Sequence, residues 1–99
     1  MDNVVIIDGA RTPVGRYGGS FKSLKASDLG TVAIKSAIER SGISMSDVEE
    51  VVLGNALQTD EAGYAARMAS LKSGLSYEVP TIAINRQCSS GLEAINIAA

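Results

Sequence analysis

The chain has 99 residues, a net charge of −2 and a hydrophobic fraction of 45%. This length is enough for one compact domain and not for two. The weakly acidic balance gives no electrostatic reason to expect a nucleic acid or an anionic membrane surface as a partner, and no run of eighteen apolar residues predicts a transmembrane helix. The composition therefore predicts a globular domain with neither a nucleic-acid nor a membrane partner.

Cysteine and histidine usage limits the chemistry further. The chain contains one cysteine, Cys88, and no histidine. A single cysteine cannot form an internal disulfide, which is typical of a reducing compartment. The first residues show neither a secretory pattern nor an Arg-rich presequence, so we expect a cytoplasmic location, with the peroxisome and mitochondrion left open. Most thiol nucleophiles rely on a neighbouring imidazole, so a nucleophile here would need a base from residues outside this chain.

The first third of the chain predicts a strand, a loop and a helix. Residues 4–7 are a continuous β-branched run, typical of a strand covered on both faces in the middle of a sheet. Residues 11–26 contain proline and several glycines, which predict a loop. Ser27 is the expected N-cap of a helix, Asp28 suits the positive end of the helix dipole, and Gly42 is the expected stop.

The rest of the chain continues this alternation. The patterns predict a helical turn over 44–50, a strand over 51–53, a polar loop through 60–63, a helix over 64–73, a strand over 81–84, and a helix over 89–99 with apolar spacing through Leu92, Ile95 and Ala99. The resulting order is βαβαβα, which favours an α/β fold with a mostly parallel sheet covered by helices on both faces. The chain ends inside the last predicted helix, so we expect residues 1–99 to be an incomplete domain.

The segment 85–92, between the last strand and the last helix, holds the candidate site. In parallel α/β sheets, sites form at the carboxyl ends of the strands. Cys88 would lie at the head of the helix, where the positive dipole end favours the thiolate, the nucleophilic form. Neighbouring backbone N–H groups could face an oxyanion. The alternative, and the commoner role for a lone cysteine, is a small buried hydrophobic side chain.

Other residues of interest have structural alternatives. Ser89 and Ser90 could be proposed as hydrolase nucleophiles, but the G-x-S-x-G elbow is absent, so helix capping or small-residue packing is the better interpretation. Arg86 could favour the Cys88 thiolate or simply form an ion pair. Arg11 could bind an anion, although its place before Thr-Pro favours a role in fixing the turn. The pattern predicts no metal site.

Three stretches in chain order resemble one family. The segment 85–92 reads Asn-Arg-Gln-Cys-Ser-Ser-Gly-Leu and resembles the active-site cysteine motif of the thiolases, specifically the 3-ketoacyl-CoA thiolases. Residues 10–15, Ala-Arg-Thr-Pro-Val-Gly, and residues 52–57, Val-Leu-Gly-Asn-Ala-Leu, resemble stretches of the same family. Residues 64–67 lack the Asn-Pro-Ala-Arg wording common in bacterial biosynthetic thiolases, which favours the degradative branch associated with β-oxidation.

The resemblance implies a reaction. Cys88 would attack a 3-oxoacyl-CoA at its keto carbon, release acetyl-CoA and keep the acyl group on sulfur until coenzyme A removes it; the reverse is a Claisen condensation. The Cys88 N–H would hold the thioester oxygen. A histidine and a second cysteine, which the family uses for proton transfer, would come from its C-terminal half, as would the main coenzyme A contacts.

The resemblance also implies partners. Acyl-CoA and coenzyme A would be substrates, with no separate cofactor, and the whole protein would be a homodimer or homotetramer. The 99 residues would be an N-terminal thiolase segment without its loop and C-terminal domains, inactive alone. Two alternatives remain open: a decarboxylating condensing enzyme of the ketoacyl-synthase type, and a non-catalytic α/β interaction fragment.

Overall fold

The computed structural model describes residues 2–58 and 64–99. The polar loop predicted through 60–63 lies outside these residues. The elements in chain order are helix α1 (Ala26–Ser41), a 3₁₀ turn (Met45–Asp47), strand β1 (Val51–Gly54), helix α2 (Ala65–Lys72), strand β2 (Thr81–Ile84) and helix α3 (Ser90–Ala98). The structure is an α/β arrangement, as the sequence predicts.

The two strands form a parallel sheet. Val51 lies opposite Thr81 and Gly54 opposite Ile84. The ladder continues past the end of β1, because the N–H of Asn55 donates to the carbonyl oxygen of Ile84 at 2.9 Å. Since parallel strands point the same way, the carboxyl ends of β1 and β2 lie at one edge of the sheet. The segments that follow both strands therefore start close together.

Helices cover both faces of this sheet. Leu53 faces α1, since its Cδ1 lies 3.9 Å from the position of a Cβ on Gly30. The next residue, Gly54, faces the opposite way, against the start of α3. Successive residues of a strand point to opposite faces. The predicted parallel sheet with helices on two sides is thus confirmed for the described strands.

Small residues bring α1 and α2 together. A Cβ on Gly30 would lie 3.0 Å from the Cβ of Ala69, and Ala65, Ala66 and Ala69 are all buried. Helix axes approach closely only where the side chains between them are small. A cluster of larger apolar residues closes the same side of the sheet: Val51, Leu75 and Val79, with Ile34, Ile38 and Val48 packed against them.

The predicted first strand is not present. Residues 4–7 have no regular secondary structure, and each of them is 64% to 81% exposed. A β-branched run becomes a strand only when a neighbouring strand pairs with its peptide groups, and the sheet of the described residues consists of β1 and β2 alone. The segment is instead linked to α1 by an ion pair between Asp8 and Arg40, 3.4 Å apart.

Two details of the helices also differ from the predictions. The N-cap of α1 is Lys25 and not Ser27, because the Asp28 carboxylate accepts from the Lys25 N–H at 2.8 Å while Ser27 is buried inside the first turn. Helix α3 buries Ser90 and Ala94 against the sheet, whereas Leu92 and Ile95 of the predicted apolar stripe are exposed. In the described part of the chain, no helix combines the length and hydropathy needed to cross a bilayer.

Candidate active site

Cys88 lies at the carboxyl edge of the sheet. It follows β2, which ends at Ile84, and precedes α3, which begins at Ser90. Its side chain is exposed. The structure therefore gives the position that the sequence predicts, on the turn between a parallel strand and a helix. The alternative of a buried, packed thiol does not apply to Cys88 in this chain.

The turn that carries Cys88 is closely hydrogen-bonded. The N–H of Ser89 donates to the Arg86 carbonyl oxygen at 3.1 Å, and the N–H of Ser90 donates to the Gln87 carbonyl oxygen at 3.2 Å. The Ser90 hydroxyl also donates to the Gln87 oxygen (2.6 Å) and accepts from the Arg86 N–H (2.9 Å). These bonds tie the residues on both sides of Cys88 to each other.

Gln87 has an unusual backbone. Its φ is 51°, and it is the one non-glycine residue with positive φ among those that the structure describes. This left-handed conformation costs an ordinary side chain roughly 1–3 kcal/mol, and such residues cluster at functional sites. Its N–H donates to the Asn85 Oδ1 at 3.1 Å. The residue before the candidate nucleophile thus has an intrinsically unfavourable backbone conformation that its surroundings stabilise.

The backbone of α3 touches β1 directly. A Cβ on Gly54 would lie 2.5 Å from the Ser90 carbonyl oxygen and 2.7 Å from the Gly91 nitrogen. Side chains larger than glycine would push the start of α3 away from the sheet. This role of Gly54 is not among the predictions from sequence, although a glycine within a strand is a signal of close backbone approach.

Three of the four serines and arginines of interest have structural roles. Ser90 is buried and both its bonds go to the backbone of the turn, in agreement with packing or capping and not with a nucleophile. Ser89 is exposed and its side chain makes no cap hydrogen bond. Arg86 lies 4.0 Å from Glu93 on α3, so it forms an ion pair beside the turn. Arg11 donates to the carbonyl oxygen of Thr12 at 3.1 Å, which favours the local-turn interpretation.

Two of the three motif stretches meet at this edge. Residues 52–57 include the end of β1, and Gly54 contacts Ser90 and Gly91 of the segment 85–92, where α3 begins. Residues 10–15 are not brought to the turn by any hydrogen bond of their own side chains: Arg11 and Thr12 both bond within the segment. The site of the described residues is therefore built from β1, β2, the turn and α3.

Comparison with known proteins agrees with these features. The model of the thiolase N-terminal domain matches residues 4–99. Acetyl-CoA acetyltransferase, mitochondrial, of Xenopus tropicalis is 46% identical over 99 residues, which is 100% of this chain and 24% of that protein. Acetyl-CoA acetyltransferase of Cupriavidus necator is 44% identical over 99 residues (100% of this chain and 25% of that protein), and a probable acetyl-CoA acyltransferase of Staphylococcus aureus is 41% identical over 98 residues (99% and 25%). The chain spans about a quarter of the length of these relatives.

Proposed function

Because the chain belongs to the thiolase family, whose N-terminal domain it matches, we propose that the whole protein is an acyltransferase acting on acyl-CoA, with Cys88 as its acyl acceptor. The observation that carries this proposal is an exposed cysteine on a hydrogen-bonded turn at the carboxyl edge of a parallel sheet. Its relatives are named acetyl-CoA acetyltransferase and acetyl-CoA acyltransferase.

The proposed reaction has two steps. The Cys88 thiolate attacks the keto carbon of a 3-oxoacyl-CoA, and the bond between that carbon and the α-carbon breaks. The electron pair of that bond stays on the α-carbon, which takes a proton and leaves as acetyl-CoA, while the acyl group remains on Cys88 as a thioester. Coenzyme A then loses its thiol proton and attacks this thioester, releasing a shortened acyl-CoA and the Cys88 thiolate.

The oxygen that becomes negative in each step needs donors. We propose that the backbone N–H of Cys88 is one of them, because it belongs to the turn at the head of α3, where backbone N–H groups stabilise negative charge. This turn is fixed by its own hydrogen bonds, so the donor would need little reorganisation during the reaction.

The base must come from elsewhere, because the chain has no histidine and Cys88 is its one cysteine. We propose that a histidine and a second cysteine in the remainder of the protein transfer the protons, and that the main coenzyme A contacts also lie there. The relatives are about four times as long as this chain, which leaves ample length for these groups. The isolated chain is accordingly expected to be inactive.

The names of the relatives favour this reaction over decarboxylating condensation. The three compared proteins are all named as acetyl-CoA acetyl- or acyltransferases. A ketoacyl synthase would release carbon dioxide from a malonyl thioester, and that difference separates the two reactions in an assay.

The test uses the intact protein, its Cys88→Ala variant and the 99-residue chain. We expect the intact protein to cleave acetoacetyl-CoA when coenzyme A is added, and to carry an acetyl group on Cys88 after incubation with acetyl-CoA, as seen by peptide mass spectrometry. Cys88→Ala should lose both. An intact protein that acetylates no cysteine, or a Cys88→Ala variant that keeps full thiolysis, would show that the proposal is wrong.

We also propose that the intact protein is a homodimer or homotetramer. The proposal follows from the resemblance to the thiolase family, which implies a dimer or a tetramer. The two-stranded sheet has unpaired edges among the described residues, and these would be covered by the rest of the protein or by a second copy. Light scattering coupled to size exclusion would give the mass directly. A monodisperse monomer across the concentration range would contradict the proposal.

A further inference from the structure

The residue before Cys88 is held on both sides by other side chains. Gln87 has a φ of 51°. Its N–H donates to the Asn85 Oδ1 at 3.1 Å, and its carbonyl oxygen accepts from the Ser90 hydroxyl at 2.6 Å. A disfavoured backbone conformation persists only where its surroundings over-determine it. Removing one of these bonds should therefore allow the turn to relax, and Cys88 would move with it.

We propose that Ser90 is a positioning residue for the nucleophile, acting through the turn and not on the substrate; this inference rests on the role proposed for Cys88. The Ser90 hydroxyl accepts from the Arg86 N–H at 2.9 Å while it donates to Gln87, so one side chain fixes the backbone on the N-terminal side of Cys88. Ser90 is 5% exposed, so water competes little for these bonds.

The contact with β1 fixes the position of Ser90 relative to the sheet. A Cβ on Gly54 would lie only 2.5 Å from the Ser90 carbonyl oxygen. The backbone of Ser90 therefore packs against the sheet without an intervening side chain. Ser90 thus connects the rigid strand to the strained turn. A reacting group displaced by about 1 Å loses on the order of 100-fold in rate.

The experiment compares four variants in the intact protein. Ser90→Ala removes the hydroxyl, and Ser90→Thr keeps it. Ser89→Ala is the matched control, because Ser89 is exposed and its side chain makes no cap hydrogen bond. The double variant Ser90→Ala with Gln87→Gly removes the hydroxyl together with the side chain that disfavours positive φ.

Three measurements are made on each variant: the kinetics of acetoacetyl-CoA thiolysis, which give kcat and KM; the rate of Cys88 alkylation by iodoacetamide; and thermal unfolding. We expect Ser90→Ala to lower kcat by about 10- to 100-fold, with KM unchanged and slower alkylation. Ser90→Thr should restore most of the kcat, and Ser89→Ala should match the wild type. The double variant should regain part of the kcat lost in Ser90→Ala, because a glycine at position 87 adopts the left-handed conformation without a hydrogen bond from Ser90.

Several results would overturn the inference. One is a Ser90→Ala variant with wild-type kcat once the folded fraction is taken into account. Another is an equal loss in Ser89→Ala. If Ser90→Ala does not fold, the double variant is compared with the wild type: a folded double variant whose kcat and alkylation rate show the full loss of about 10- to 100-fold expected for Ser90→Ala would mean that Ser90 does not act through Gln87.

The result also separates this inference from the proposed function. A wild-type protein without thiolysis or acylation of Cys88 would refute the function, while the alkylation rates would still report whether Ser90 positions the thiol. An active wild type whose kcat and alkylation rate are insensitive to Ser90→Ala would refute the positioning role alone.

Discussion

Gly54 and Ser90 lie so close that no side chain fits between them. A Cβ on Gly54 would be 2.5 Å from the carbonyl oxygen of Ser90 and 2.6 Å from its carbonyl carbon. The last residue of β1 is thus in direct contact with the first residue of α3. This contact fixes the helix that follows Cys88 relative to the sheet.

Gly54→Ala should therefore destabilise the protein. The added methyl group meets backbone atoms, which cannot rotate away, so we expect a loss of about 1–3 kcal/mol in the free energy of unfolding. Chemical denaturation of the intact protein measures it. Gly91→Ala is the control, since a Cβ there meets nothing within 4 Å and alanine favours the helix by up to ~1 kcal/mol. Equal stability of the Gly54→Ala variant and the wild type would contradict the close contact.

Arg67 should contribute strongly to stability. It lies on α2, and its guanidinium donates to the carbonyl oxygens of Val79 (2.8 Å) and Tyr77 (2.5 Å), just before β2. Arg67→Ala removes two charge-assisted hydrogen bonds, and we expect a loss of about 1.5–3 kcal/mol, measured by urea denaturation. Arg67→Lys should recover only part, because an ammonium does not reproduce the fork of donors.

The control for Arg67 is Arg40→Ala. Arg40 is 3.4 Å from Asp8, and its side chain is 63% exposed. An exposed ion pair of this kind contributes about 0–1 kcal/mol. If the two alanine variants lost the same stability, the bonds from Arg67 to the segment before β2 would not have the importance that we assign to them.

Asp28 should make stability depend on pH in the acid range. The pKa of Asp28 is lowered by the hydrogen bond from the Lys25 N–H and then by that from the Lys72 ammonium, 3.0 Å away. A carboxyl whose pKa is lower in the folded state stabilises the protein above its unfolded pKa, and this contribution is lost as the pH falls through the folded value. The difference in unfolding free energy between wild type and Asp28→Asn should therefore be largest near neutral pH and shrink in acid.

Thermal unfolding across the acid range checks this trend. Glu39→Gln, an exposed change on the same helix, is the control and should differ from the wild type by a small amount at every pH. A gap between wild type and Asp28→Asn that stays constant from neutral pH into strong acid would show that the carboxylate charge contributes nothing.

Gly42 should be hard to replace at the end of α1. Its φ is 75°, and its N–H donates to the Glu39 carbonyl oxygen at 3.3 Å. Gly42→Ala places a Cβ in the left-handed region, which costs roughly 1–2 kcal/mol. Gly42→Asn should cost less, because asparagine tolerates this conformation. Thermal unfolding ranks the three proteins, and an alanine variant as stable as the wild type would contradict the prediction.

Local patterns predicted the elements whose formation depends mainly on nearby residues. The strand expected over 81–84 forms as Thr81–Ile84, because Pro80 starts it and polar residues follow. The end of α1 at Gly42 is likewise confirmed. The parallel arrangement of β1 and β2, which follows from the alternation of strands and helices along the chain, is also confirmed. The position of Cys88 between β2 and α3 follows from the same patterns.

The differences arise where a distant residue decides the outcome. Residues 4–7 have the composition of a strand, but a strand also needs a partner that composition does not reveal. Ser27 looks like a helix cap, yet it is buried and accepts from the Lys72 ammonium at 3.0 Å, far along the chain. Within the site the reason is different: the bonds of Ser90 reach residues only three and four positions away, but they and the φ of Gln87 belong to a turn conformation that the residue types do not specify.

The pairing of β1 with β2 has a consequence for how this protein is made. The two strands are separated in sequence by α2 and its flanking segments, so the sheet forms only after a long loop has closed. Contacts between distant residues form late and slow the folding of a domain. During synthesis, the turn around Cys88 cannot dock on Gly54 until both strands have left the ribosome. The geometry of the thiol is therefore acquired late, together with the long-range packing of the domain.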